Sequence, residues 1–106
     1  MIPSPTSKRA RTGAALDYLA RRFPAAFAGD PAAVQPLAVG IRDRLAAHVA
    51  ADPEADAPAV LWALRRWCLS RAYVEAVAAG RPRVNLDGQP VEALAVEHQA
   101  QARARF

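Results

Sequence analysis

The stretch GRPRVNLDGQP, residues 80–90, sets the fold apart from a plain helical bundle. On an extended strand alternate side chains share a face. Pro82, Val84 and Leu86 then point one way, and Arg81, Arg83 and Asn85 the other. Asp87-Gly88 is a strong two-residue hairpin signal, and Pro90 suits an edge position on the return. Gly80 occupies the place of a helix-closing C′ glycine. The reading is one small hairpin, carrying arginines on one side.

Working outward, the remaining segments carry helical periodicity. A helix from Thr12 places Leu16, Leu19, Ala20 and Phe23 on one stripe. Pro24 ends it or opens a short second helix through Phe27, and Gly29-Asp30-Pro31 breaks the chain. PLAVGI, residues 36–41, leads into a helix with Ile41, Leu45 and Val49 on one face. Asp56 caps the next helix, with Pro58 in its first turn. Its inner stripe is Val60, Ala63, Leu64 and Trp67, while Leu61, Trp62, Arg65 and Arg66 lie to the sides. Trp62 is then either a platform for a base or a ring partly buried under the N-terminal region or at a dimer contact. Ser70 caps a helix over 71–79, and a last helix covers about 96–105. The fold class is mainly α: a compact five-to-six-helix domain, residues 12–106, with a small β-hairpin. Residues 1–11 read as a flexible basic arm, with little to bury.

Composition narrows the function. The chain has 106 residues, a net charge of +4, and thirteen arginines against one lysine, Lys8. Alanine accounts for 27 residues, so the 53% hydrophobic fraction overstates the core. Arginine presents a planar fork of donors that matches phosphate, which points to a polyanionic partner. Cys68 stands alone, and His48 and His98 have no metal-ligand spacing around them, so neither a metal nor a cofactor is expected. Paired carboxylates, Ser/His/Asp sets and phosphate-cradling glycine loops are missing from the sequence, which argues against an enzyme. There is no apolar signal core and no run of ~18 apolar residues, so a cytoplasmic location is the expectation.

The order of these pieces resembles the ProQ/FinO family of bacterial RNA-binding proteins and RNA chaperones. The resemblance is carried by RRFPAAF (21–27), PLAVGI (36–41), ALRRW (63–67), Tyr73, RVNLDGQP (83–90) and the His98-to-Arg103 segment. It implies a mainly helical fold with a hairpin, no catalysis, and binding of structured RNA. The expected target is the base of a terminator-like hairpin with its single-stranded 3′ tail, in post-transcriptional regulation by small RNAs or mRNA 3′ ends. Residue by residue it assigns RNA contacts to Arg83, Tyr73 and Arg65. Gly40 matches the glycine opening a helix near the place where the 3′ end is held. Arg66 and Arg81 are candidate helpers.

Three departures accompany the resemblance. Family members often carry cations where this chain has Ala38, Ala57 and Leu61. Arg42, Arg44, Arg66, Arg71 and Arg81 are the candidates to replace them. The alternatives are a helical adaptor with eroded RNA contacts that binds an acidic protein surface, and a non-specific nucleic-acid binder. A monomer or weakly self-associating protein is expected. Arg83 is expected to matter for RNA and barely for stability.

Overall fold

The structure is a computed structural model, describing residues 7–105. Ser7 starts helix α1 (Lys8–Arg22), its Oγ accepting from the Ala10 N–H at 3.0 Å. The helix thus begins four residues before Thr12. Lys8 to Arg11, expected in the arm, are helical, while residues 1–6 lie outside the described residues. What extends the helix is the Ser7 cap together with a tertiary anchor: Arg11 donates from Nε and from Nη2 to the two carboxylate oxygens of Asp56, each at 2.8 Å. A forked pair of this kind gives geometric definition that a single charge contact lacks.

No helix follows Pro24. The Phe27 N–H donates to the Phe23 carbonyl at 2.9 Å, closing a turn that drops Phe27 into the core. A single 3₁₀ turn (Pro31–Ala33), capped by Asp30, leads to the extended segment 34–38. Helix α2 (Ile41–Ala50) follows, then α3 (Ala57–Leu69), α4 (Arg71–Ala78), β1 (Arg83–Val84), β2 (Pro90–Glu92) and α5 (Val96–Arg103). The architecture is five helices with one two-stranded antiparallel sheet.

Apolar spacing explains the layers. α1, α2 and α3 present Leu19, Leu45 and Val60 to one core, joined by Phe27, Leu37 and Val84. Val74 and Val77 of α4 meet Ala102 of α5 in a smaller cluster, and Tyr73 borders both. Val84 is completely buried because its backbone is held on the side away from β2 as well. Its N–H donates to the Pro36 carbonyl at 2.9 Å, and its carbonyl accepts from the Ala38 N–H at 2.8 Å. The expected inward face is realised by Val84 and half-buried Leu86, but Pro82 is exposed. The paired strand begins at Arg83, and a register shift after it displaces the simple alternation. Asn85 leaves the arginine face altogether: its Oδ1 accepts from the Asp87 and Gln89 N–H groups, both at 3.0 Å, and builds the turn. Gly88 is required there, with φ of 79° and a Cβ position that would lie 2.5 Å from Ala25 Cβ.

Candidate nucleic-acid interface

The centre of the site is the Leu37 peptide. Its N–H donates to Tyr73 Oη at 3.0 Å, and its carbonyl accepts from Arg83 Nη1 at 2.7 Å. Tyr73 comes from α4, placed by the Ser70 cap, and Arg83 from β1. The hairpin and α4 are therefore indexed to each other through one buried residue of the segment before α2. Arg83 Nη2 also lies 3.0 Å from His98 Nδ1. Arginine only donates, so this nitrogen accepts and the imidazole proton resides on Nε2. His98 thus docks α5 on the hairpin. These contacts correct the expectation that Arg83 is idle in the fold. They use part of a fork with five N–H donors, leaving others for a ligand.

Tyr73 and Arg83 line a cleft of about 200 Å³ together with Cys68, His98, Gln101 and Arg105. Among the described residues no side-chain carboxylate lines it. Burial pushes the Tyr73 phenol above its ordinary pKa, with the Leu37 N–H and Arg83 opposing. It stays a neutral O–H at physiological pH, able to donate. Burial likewise pushes the Cys68 thiol up, so it is a packed thiol rather than a nucleophile.

Arg65 occupies the outer ridge of α3. Its neighbours three and four residues away are Leu61 and Cys68 toward the cleft side, and Trp62 and Leu69 toward α1. Arg42 of α2 lines the same depression as Leu61 and Arg65. Arg66 faces the groove between α1 and α3, which Arg65 also lines. Arg81 is exposed, but its Nη1 donates to the Ala32 and Val34 carbonyls, both at 2.9 Å, clamping the hairpin to the 3₁₀ turn. Arg71 pairs with Glu75 on the surface of α4. Gly40 caps α2 in the left-handed region, with φ of 83°. Just before it, the Val39 N–H donates to Glu92 Oε1 at 2.9 Å, and Asp43 lies in the first turn of the helix. Two carboxylates thus accompany that helix start.

The structure therefore brings Tyr73 and Arg83 together on Leu37, three residues before Gly40 in the chain, and sets Arg65 on the ridge of α3. Arg66 and Arg81 lie elsewhere. Sequence reasoning missed Gln101 and Arg105, which reach the cleft only through the docking of α5. It also missed Glu92, whose position follows from the strand register.

Comparison with known proteins adds a family. The profile of the ProQ/FINO family matches residues 10–106. An RNA chaperone ProQ of Shewanella baltica is 38% identical over 99 residues, covering 93% of this chain and 47% of that protein. An RNA chaperone ProQ of Idiomarina loihiensis is 40% identical over 88 residues, covering 81% and 41%. The chain thus spans about half the length of the curated relatives it matches. Among solved structures, a FinO-like RNA chaperone from Neisseria meningitidis superimposes with a TM-score of 0.73 at 27% identity, covering 92% of this chain and 73% of that one. A ProQ homolog from Legionella pneumophila gives 0.68 at 25% identity, covering 100% and 88%. No helix among the described residues is long and apolar enough to cross a membrane.

Proposed function

The chain belongs to the ProQ/FinO family, and on that premise we propose that it binds structured RNA and acts as an RNA chaperone without catalysing a reaction. The target is a terminator-like hairpin with a single-stranded 3′ tail, bound in the cytoplasm by a monomeric or weakly self-associating protein. The observation that carries this reading is the joint anchoring of Tyr73 and Arg83 on Leu37. It holds a phenol O–H and a guanidinium with spare donors at one cleft that no described side-chain carboxylate lines. Such donors fit phosphate and 2′-OH groups, the features by which RNA is read without base-specific contacts. Arg65 and Arg42 extend the basic surface along α3 and α2. Binding one RNA conformation in preference to another shifts its population, and that differential binding is the chaperone activity.

A second reading has its own observation. Ala57, Pro58 and Leu61 form an apolar depression where family members often carry cations, and Val91 and Val96 are exposed at 51% and 76%. These features favour a protein-binding adaptor. A gel-shift series with a terminator hairpin, with and without its 3′ uridine tail and across salt, separates the readings. Tail-dependent, salt-sensitive retention supports RNA recognition. Equal retention of duplex DNA of similar length supports a non-specific binder, and no retention supports the adaptor.

A further inference from the structure

The α1–α3 groove lies on the other side of α3 from the Tyr73–Arg83 cleft and is lined by Lys8, Arg9, Trp62, Arg65, Arg66 and Leu69, with Thr12 and Ser70 at its edges. Four of these are cations, and no carboxylate of the described residues lines the groove. Among the described residues none of the four forms an ion pair, whereas the neighbouring Arg11 is neutralised by Asp56. The floor is apolar. Leu69 is 56% exposed, and the half-buried Trp62 ring has Lys8 Nζ and Arg11 Cζ each 4.9 Å from its centroid. A cationic rim around an aromatic, apolar floor is the arrangement that binds single-stranded nucleic acid, with phosphates on the rim and a base against the ring.

We propose that this groove is a second RNA-contact surface, which takes the single-stranded segment flanking an RNA held at the Tyr73–Arg83 cleft. The inference rests on the RNA-binding function proposed above. Arg65 provides the continuity, because it stands on the ridge of α3 between the groove and the Leu61–Cys68 side. A strand crossing that ridge exchanges one basic surface for the other. The shape argues for a single strand over a duplex, since the Trp62 face is recessed between two helices. It also gives the first turn of α1 a purpose: the Ser7 cap and the Arg11–Asp56 pair hold Lys8 over Trp62 and Arg9 on the rim of the groove.

The test uses two RNAs, a blunt hairpin and the same hairpin with single-stranded flanks, and the variant Lys8→Ala/Arg9→Ala/Arg66→Ala, which spares Arg65, Tyr73 and Arg83. The variant is expected to bind flanked RNA about tenfold more weakly, with a salt slope lower by about 2 for three lost single-strand contacts, and the blunt hairpin as the wild type does. Oligouridine is expected to quench tryptophan emission in the wild type and not in Trp62→Phe, where only Trp67 emits. Unchanged affinity and salt slope for flanked RNA overturn the groove while leaving the cleft standing. Wild-type protein that retains neither RNA overturns the RNA reading itself. Quenching by polyglutamate in place of oligouridine assigns the groove to an acidic peptide and overturns its RNA role.

Discussion

Tyr73 and Arg83 hold opposite ends of the same residue: the phenol oxygen accepts from the Leu37 N–H, and the guanidinium donates to the Leu37 carbonyl. The two side chains proposed to touch RNA are thereby fixed relative to each other by the backbone that leads into α2. Preorganisation of this kind reduces the ordering cost of binding. It also means that loss of either side chain affects folding as well as RNA.

Tyr73→Phe removes the acceptor of a buried N–H. An orphaned buried donor costs about 1–3 kcal/mol, and urea unfolding should register a loss within that range. Unchanged stability would show that the Leu37 N–H has another partner.

Glu92→Gln keeps an oxygen for the Val39 N–H and removes a negative charge beside the proposed RNA site. One charge contact at ~4 Å in water is worth about 1 kcal/mol, so RNA affinity should rise up to about fivefold. Equal or weaker binding would place the RNA away from the start of α2.

Asp56 caps α3 and pairs with Arg11, whose side-chain hydrogen bond holds its carboxyl below the ordinary value of 3.8. Because the folded value is the lower one, the pair stabilises the fold above the unfolded carboxyl range. That contribution disappears as pH falls through the depressed folded value. Asp56→Ala should lose about 1 kcal/mol at neutral pH through the missing cap. Its stability should then decline less steeply between neutral pH and strong acid, as followed by circular dichroism. A parallel decline in both proteins would contradict the pairing.

Tyr18 is half-buried and donates to Asp52 Oδ2 at 2.6 Å, and partial burial followed by that hydrogen bond pushes its phenol up to about 12. The raised folded value means that its stabilising effect is complete below the ordinary tyrosine range and is lost as pH rises toward 12. In Tyr73→Phe, where Tyr18 is the remaining tyrosine, the phenolate absorbance should appear near that value. Ionisation near the ordinary 10 would show that the Asp52 contact does not form.

The helices were legible because their apolar stripes, caps and breakers agree at Asp56, Ser70 and Gly80. The hairpin was legible from Asn85 to Gly88, where the turn chemistry is local. The start of α1 was not, since it depends on Arg11 reaching Asp56, 45 residues away in the chain. Arg81 and Arg83 look alike in sequence, yet one clamps the Ala32 and Val34 carbonyls and the other faces the cleft. Strand alternation cannot make that distinction, because it comes from which carbonyls the segment 32–37 presents. Arg66 was grouped with Arg65 by adjacency, but neighbouring helical residues lie about 100° apart: both line the α1–α3 groove, and only Arg65 also reaches the depression with Arg42 and Leu61.

The most direct measurement compares wild type with Arg83→Ala for binding of a terminator hairpin with its 3′ tail, under conditions where circular dichroism shows both proteins folded. Loss of a charged hydrogen bond to RNA should weaken binding by about 1.5–3 kcal/mol, beyond any change in folded fraction. Equal affinity in the two folded proteins would contradict the central claim that the Tyr73–Arg83 cleft holds the RNA.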